Sequence, residues 1–258
     1  MKNVALITGA SSGIGLELAK IHASKSGDLV LVARSKSKLD SLKKELEKKH
    51  SVSVCAIEKD LSLPGAAQEV YQETKKRRIK IDFLINNAGF GVFGKFNETD
   101  LKKESKMIRL NVTALTELCK LYLNDMTKRK NGRIMNLAST AAFQPGPIMA
   151  VYYATKAYVL HFSEAINNEV NDKGITVTAL CPGPTKSSFQ SSAAMEESNL
   201  IKGRKLPSAK EVAEYGYDAM IEGKTVAVHG FVNRLLMHSL RFAPRALVIK
   251  MVRAMQEA

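Results

Sequence analysis

The sequence predicts an α/β fold in which one doubly wound parallel sheet of about seven strands carries helices on both faces. Apolar segments rich in Val, Ile and Leu alternate along the chain with amphipathic segments long enough to form helical crossovers. The apolar segments are almost continuously hydrophobic, which is typical of strands covered on both faces. They lie at residues 4–9, 29–33, 52–57, 81–87, 132–139, 175–183 and 225–230.

The composition predicts one globular domain over residues 1–258, because 45% of the 258 residues are hydrophobic and 25% are charged. No apolar run approaches the roughly 18 residues of a membrane-spanning helix. The first residues pass directly into a strand pattern, without a cleavable leader. Neither the five histidines nor Cys55, Cys119 and Cys181 have metal-ligand spacing, so we expect reduced thiols, no metal and a cytoplasmic location.

The chain is strongly basic, with a formal net charge of +14. Such a charge can attract nucleic acid, anionic lipid or phosphorylated small molecules. The densest basic stretch, however, contains the helical stripe Leu39, Leu42 and Leu46, so its lysines are expected on a solvated helix face. No nucleic-acid-binding module accompanies the charge, and we therefore expect no nucleic-acid partner.

The chain leaves the first predicted strand through the turn TGASSGIG, residues 8–15. Glycines at such a turn allow the backbone to approach a pyrophosphate, and the helix that follows presents N–H groups to the phosphates. A strand before the turn and an amphipathic helix after it make this a dinucleotide-binding, Rossmann-type pattern. The coenzyme-binding residues predicted in this turn are Gly9, Ser11, Ser12, Gly13, Ile14 and Gly15.

The end of the second predicted strand carries basic residues where an acidic residue would bind the adenosine ribose hydroxyls. Arg34 stands there with Ser35 beside it, and Lys38 follows one helical turn later. A guanidinium can bind a 2′-phosphate in a bidentate manner. The alternative is that Arg34 is only a surface charge at a helix start. We predict NADP as the coenzyme in preference to NAD.

Six motifs now occur in a recognisable order along the whole chain. They are TGASSGIG (8–15), NNAG (86–89), Asn111 in RLNVTA, Ser139 in NLAST, Tyr152 with Lys156, and PGPT (182–185). In order and in spacing they resemble the motif series of the short-chain dehydrogenase/reductases, and the surrounding sequence is similar to bacterial members of unassigned substrate.

This resemblance implies a catalytic set of Asn111, Ser139, Tyr152 and Lys156. Helix geometry alone allows either Tyr152 or Tyr153 to face Lys156, and the family spacing of four residues selects Tyr152. Tyr153 is expected to pack against the core or a neighbouring subunit. A lysine ammonium near the phenol is expected to lower the phenol pKa, so that the phenol exchanges a proton with the reacting oxygen. Ser139 is expected to supply a second hydrogen bond to that oxygen.

The resemblance also implies further coenzyme contacts. Lys156 would bind the nicotinamide ribose, and Asn111 would hold a water-linked proton path, although an Asn that only bends or caps a helix is the alternative. Local turn chemistry likewise remains an alternative for the other positions. Those positions are Asp60 and Leu61 after the third strand, Asn87, Ala88 and Gly89 after the fourth, and Pro182, Gly183 and Thr185 after the sixth.

The substrate side is predicted from two segments. Residues 184–207 are polar and aperiodic, as expected of a substrate-covering loop. Apolar surface from Phe90, Phe93, Phe143, Met149 and Met195 would suit a ketone or 3-oxoacyl compound, and a place in the core is the alternative for most of these residues. The basic, apolar tail at 231–258 predicts short helices that cover the domain, form a subunit interface or contact an anionic membrane surface. The resemblance favours a homo-oligomer, either a dimer or a tetramer.

The function expected from these observations is an NADP(H)-dependent oxidoreductase. Its small-molecule substrate is a ketone or 3-oxoacyl-type carbonyl that is interconverted with a secondary alcohol. Two alternatives remain open from the sequence. One is a 3-hydroxy-acid dehydrogenase acting on a polar metabolite, and the other is a non-catalytic, NADPH-binding regulatory protein.

Overall fold

The computed structural model describes residues 3–187, 189, 203 and 205–257. Within these residues, seven parallel strands form one sheet in the order β3-β2-β1-β4-β5-β6-β7. The α/β fold class predicted from the sequence is therefore confirmed. The strands are β1 (Val4–Thr8), β2 (Asp28–Ala33), β3 (Val54–Glu58), β4 (Phe83–Asn86), β5 (Gly132–Leu137), β6 (Ile175–Cys181) and β7 (Val226–Val228).

Helices connect the strands and continue after the last of them. The α-helices in the described residues are α1 (Gly13–Ser24), α2 (Lys36–His50), α3 (Ala66–Lys76), α4 (Leu101–Ile108), α5 (Leu115–Arg129), α6 (Ala150–Val170), α7 (Ala209–Ile221), α8 (Phe231–Ser239) and α9 (Arg245–Gln256). A π-helical segment, Arg109–Ala114, joins α4 to α5, and short 3-10 helices occur at Thr140–Phe143 and Asn171–Lys173.

Two hydrophobic cores lie on opposite faces of the sheet. Side chains alternate between these faces, so that Leu6 belongs to one core while its neighbours Ala5 and Ile7 belong to the other. Helices α3, α5 and α6 cover the face of Leu6, and helices α1, α2 and α7 cover the face of Ile7. Both faces of each strand are therefore buried, which explains the nearly continuous hydrophobicity of the strand segments.

A third group of apolar residues lies outside the two sheet cores, and we call it the tail cluster. Its buried members are Ala141, Met149, Tyr153, Val248 and Val252. The last two belong to α9, so this helix covers the domain, as one of the three predictions for the tail proposed. Helix α8 instead leaves Phe231, Val232, Leu235 and Leu236 exposed.

The order of the strands creates a crevice at the carboxyl ends of β1 and β4. The chain adds β2 and β3 on one side of β1, and then crosses to the other side to form β4. The connections after β1 and β4 therefore diverge, and ligands of doubly wound sheets bind in the gap between them. None of the helices described by the structure combines the length and the apolar character needed to cross a bilayer.

Candidate active site

One cleft of about 1120 Å³ lies along the carboxyl ends of the strands. It brings together nearly all of the site residues predicted from the sequence. Two of the predicted residues, Gly15 and Asn111, do not line the cleft. The predicted residues that line it are Gly9, Ser11, Ser12, Gly13, Ile14, Arg34, Ser35, Lys38, Asp60, Leu61, Asn87, Ala88, Gly89, Ser139, Tyr152, Lys156, Pro182, Gly183 and Thr185.

The glycine turn forms the floor of the cleft where β1 passes into α1. Gly13 starts the helix with a φ of +56°, a conformation that side chains with a Cβ adopt rarely. Gly15 has a different reason to be glycine, because a Cβ there would lie 2.5 Å from the carbonyl oxygen of Gly9. The turn therefore packs tightly against the β1 and β4 ends while the first turn of α1 faces the cleft.

Basic side chains line the cleft at the end of β2. Arg34 and Lys38 are both exposed, and neither forms a salt bridge with any of the described residues. Ser35 lies between them, with its hydroxyl 3.3 Å from that of Ser37. The positive charge of the two side chains is thus available to an anionic group in the cleft.

Asp60 lies beside this basic end, with its carboxylate engaged by the protein. Its Oδ1 accepts hydrogen bonds from the Ser62 backbone N–H at 3.0 Å and hydroxyl at 2.6 Å, and its Oδ2 is 3.1 Å from Nζ of Lys106. Burial opposes the charged form, but the bonds from Ser62 and the charge of Lys106 prevail and lower the pKa of the carboxyl. Asp60 therefore organises the turn after β3 as well as lining the cleft.

Ser139 and Tyr152 meet at the other end of the cleft. Ser139 lies two residues after β5 and caps the short 3-10 helix at Thr140–Phe143. Its Oγ accepts a hydrogen bond from the Ala141 N–H at 3.1 Å. The same Oγ lies 3.4 Å from the Pro182 carbonyl oxygen, which connects the ends of β5 and β6. Its hydrogen bond with the Tyr152 phenol lowers the phenol pKa in part. The two hydroxyls therefore face the cleft as a pair.

The pKa of Tyr152 differs from the sequence-based expectation. We expected Lys156 to lower it, whereas burial of the phenol raises it well above its usual value, and the Ser139 hydrogen bond offsets only part of this effect. The Tyr153 phenol adds to the increase. Tyr152 is therefore held as the neutral, protonated phenol, which is the form able to donate a proton.

Lys156 lies deeper in the same site, one helical turn after Tyr152 on α6. Its ammonium donates a hydrogen bond to the Leu137 carbonyl at 2.6 Å and lies 5.8 Å from the centre of the Tyr152 ring. Burial lowers the pKa of Lys156 to about 8. The Leu137 carbonyl and the nearby Cys181 compensate only partly for the water that the ammonium has lost.

Asn111 supports the site from behind. It lies in the π-helical segment, and such segments often mark functional positions in helices. Its Nδ2 donates to the Phe90 carbonyl at 3.0 Å and to Thr155 Oγ1 at 3.1 Å, and its Oδ1 accepts from the Phe90 N–H at 3.2 Å. Gly89 lies beside both Asn111 and Lys156, because a Cβ on Gly89 would be 3.0 Å from Oδ1 of Asn111 and 3.6 Å from Nζ of Lys156. Little space is therefore left at this position for a side chain.

The tail cluster forms the apolar end of the cleft. Phe93, Met149 and Phe189 line it, and the Phe189 ring is 5.4 Å from that of Tyr152. Tyr153 packs in the cluster as predicted, and its hydroxyl accepts a hydrogen bond from Gln256. Phe143 follows the alternative left open for these residues, because its side chain packs against the core under the sheet, on the side of α6. Met195 and most of the predicted covering loop, 184–207, lie outside the described residues.

Several lining residues were missed by the sequence reasoning. Lys59 precedes Asp60 directly, and its position after β3 was a signal that could have found it. Lys103 and Lys106 come from α4, and Gln256 comes from α9. No local motif distinguishes these three residues, because only the packing of distant helices brings them to the cleft.

Comparison with known proteins agrees with this geometry. The sequence profile of the family described as short chain dehydrogenase matches residues 3–198. A very-long-chain 3-oxoacyl-CoA reductase from Anas platyrhynchos is 32% identical over 184 residues, which are 69% of this chain and 58% of the length of that relative.

Two solved structures share the fold over almost the whole chain. A short-chain dehydrogenase from Sphingobium yanoikuyae in complex with NADPH is 31% identical, with a TM-score of 0.85 over 99% of this chain and 98% of that one. A bulky-bulky ketone specific alcohol dehydrogenase from Comamonas testosteroni is 29% identical, with a TM-score of 0.80 over 99% and 97%. On the match of the profile, the sheet order and the shared motifs, this chain belongs to the short-chain dehydrogenase family.

Proposed function

We propose that this protein is an NADP(H)-dependent oxidoreductase that interconverts a ketone and a secondary alcohol. The observation that carries the proposal is the shared cleft, in which a glycine turn at one end is continuous with Ser139, Tyr152 and Lys156 at the other. The glycine turn suits a dinucleotide, and the second group suits proton transfer to an oxygen atom. Together they support a redox reaction at a carbonyl.

Proton transfer is assigned to Tyr152. Its raised pKa keeps the phenol protonated at neutral pH, so the phenol acts as a general acid toward the oxygen of a carbonyl that is being reduced. Ser139 donates a second hydrogen bond to that oxygen as negative charge develops on it. When bound, the nicotinamide supplies or accepts the hydride.

Lys156 supports this transfer electrostatically. Its ammonium favours a negatively charged phenolate and so reduces the cost of releasing the Tyr152 proton. In the resemblance to the family, Lys156 also binds the nicotinamide ribose, and Asn111 holds a water-linked proton path beside it. The bonds of Asn111 to Phe90 and Thr155 are consistent with both a structural role and this second role.

The coenzyme fits the residues at the other end of the cleft. The start of α1 would hold the pyrophosphate, and the close packing behind Gly15 keeps the turn in place. Arg34 and Lys38 would hold a 2′-phosphate, which supports NADP over NAD. The solved relative from Sphingobium yanoikuyae contains NADPH, in agreement with this assignment.

The substrate is proposed to be a bulky ketone or a 3-oxoacyl compound. Phe93, Met149 and Phe189 present apolar surface next to Tyr152, and this surface suits an apolar body better than a small charged acid. Relatives named for bulky ketones and for 3-oxoacyl-CoA agree with this substrate class. The polar 3-hydroxy-acid alternative has less support from these residues. The cytoplasmic location, the homo-oligomer and the lid role of 184–207 stay predictions.

The proposal is tested by NADPH oxidation with a panel of carbonyl compounds. The panel contains 3-oxoacyl thioesters, cyclic and steroid ketones, aldehydes and keto acids. Tyr152→Phe is compared with the matched variant Tyr153→Phe, which removes the neighbouring phenol from the same helix. We expect turnover of at least one bulky ketone or thioester, with a loss of more than about 100-fold in Tyr152→Phe.

Two outcomes would contradict the proposal. Turnover that survives in Tyr152→Phe and disappears in Tyr153→Phe would show that Tyr153, and not Tyr152, donates the proton. Tight NADPH binding without turnover of any carbonyl would favour the alternative of a non-catalytic, NADPH-binding regulatory protein.

A further inference from the structure

Gln256 places a buried amide group at the apolar end of the cleft. It lies in the last turn of α9, has no exposed surface and lines the cleft. Its Nε2 donates a hydrogen bond of 2.7 Å to the hydroxyl of Tyr153, which lies 103 residues earlier in the chain.

The amide oxygen of Gln256 is left without a hydrogen-bond partner among the described residues. A buried acceptor without a partner is costly, because it has lost water and has gained nothing in return. Native structures pair most such groups with protein or ordered water, so an exception beside a ligand cleft requires an explanation, and a donor on a bound ligand is one that fits this location. The Gln256 Oε1 atom is itself enclosed, so a donor on the substrate reaches it when the side chains around it move apart.

The surroundings of Gln256 make this acceptor selective. Tyr153, the hydrogen-bond partner of Gln256, belongs to the tail cluster, whose other buried members, Ala141, Met149, Val248 and Val252, carry apolar side chains. The Tyr153 hydroxyl is engaged by the same amide. Within the described residues, Gln256 Oε1 is therefore the unpaired buried acceptor beside the tail cluster, and it discriminates between substrates that can and cannot satisfy it.

We propose that Gln256 is a specificity-determining residue, and that the substrate is a largely apolar ketone with a hydroxyl or amide N–H group away from its carbonyl. The ring centres of Tyr152 and Tyr153 lie 6.1 Å apart, and Gln256 is bonded to the hydroxyl of Tyr153. In this proposal the carbonyl of the substrate contacts Tyr152, while its donor group reaches Gln256 beside Tyr153. This inference rests on the proposed reductase function and adds a second point of recognition to it.

The experiment uses a positional series of bulky cyclic ketones in three matched forms. At each position the compound carries a hydroxyl, a methyl ether or hydrogen, so that only the first can donate a hydrogen bond. The full-length protein is compared with Gln256→Leu, which removes the amide, and with Gln256→Glu, which keeps an oxygen acceptor. Thermal unfolding of both variants checks that the fold is retained.

In the unmodified protein we expect one position at which the hydroxyl compound has a kcat/KM about 10-fold above that of the ether. Gln256→Leu should reduce this ratio to about one. Gln256→Glu should preserve the ratio. A ratio that persists in Gln256→Leu, or a series without any position that favours the hydroxyl, would overturn the inference.

The inference and the proposed function fail in different ways. Equal turnover of all three forms, lost in Tyr152→Phe, would sustain the reductase and reject the role of Gln256. The hydroxyl and ether forms of the corresponding alcohols can also be compared by calorimetry. The ratio of their Kd values measures the same discrimination without any turnover. A 10-fold ratio in affinity that disappears in Gln256→Leu would support the role of Gln256 even if no ketone were reduced.

Discussion

Replacing Arg34 with Ala tests the coenzyme end of the cleft. Arg34 lines the cleft at the end of β2, is exposed, and has no salt bridge within the described residues that would compete for its guanidinium. Hydrogen bonds to charged groups contribute about 1.5–3 kcal/mol. Because the guanidinium is open to water and salt, we take the lower value of about 1.5 kcal/mol.

This free energy corresponds to about a 10-fold increase in the Kd for NADPH. The Kd for NADH, which lacks the 2′-phosphate, should change by less than about 2-fold. Titration of coenzyme fluorescence measures both constants at low and at high ionic strength. Salt should weaken NADPH binding more in the unmodified protein than in Arg34→Ala, because the charge pair is screened.

A matched control is available two residues further along the chain. Lys36 is exposed at the first position of α2 but does not line the cleft. Lys36→Ala removes the same net charge and should leave both constants nearly unchanged. Equal losses for NADPH and NADH in Arg34→Ala, or an equal effect of Lys36→Ala, would refute the assignment of Arg34 to the 2′-phosphate.

Two further predictions concern the catalytic end. Since the pKa of Lys156 is lowered to about 8, its ammonium is present below that pH and lost above it, so kcat/KM for ketone reduction should fall as pH rises through about 8. The residual activity of Lys156→Arg should lack this fall, and a pH profile unchanged by the substitution would contradict the assignment. Asn111→Ala removes three hydrogen bonds at about 1 kcal/mol each and should lower the free energy of unfolding in urea by about 3 kcal/mol. The exposed Asn131 provides the control, and a loss in Asn131→Ala as large as that in Asn111→Ala would contradict the prediction.

The strands and the glycine turn were predictable because their signals are local. Continuous apolar runs located all seven strands, although several of the predicted segments extended beyond the strand ends into the cleft. Residues 138 and 139, for example, follow β5 directly and leave the sheet to line the cleft. Position after a strand thus identified Arg34 before any contact was known, whereas Ser139 and Asp60 were identified by the resemblance to the family.

What the sequence did not reveal depends on distant packing. The pKa of Tyr152 was expected to fall, because the spacing in the sequence revealed its neighbour Lys156. The sequence did not reveal how deeply the Tyr152 phenol is buried, and this burial raises the pKa. Gln256 reaches Tyr153 only because α9 folds back over the cleft. Likewise, a Phe near a predicted site has no local signal that separates the core from the cleft, and for this reason the place of Phe143 in the core was only one of two alternatives from the sequence.

The cleft has a division along the chain that bears on how such a protein can diversify. The lining residues at the basic end come from segments up to Leu61 and from α4, while the apolar end draws on Phe93, on residues from Ser139 onward and on α9. Mutations at the basic end therefore fall in a different part of the gene from most of those that alter the apolar wall. Recombination between relatives at the α5 region would exchange the basic end and keep most of the apolar wall, so the two ends of the cleft are open to largely separate selection.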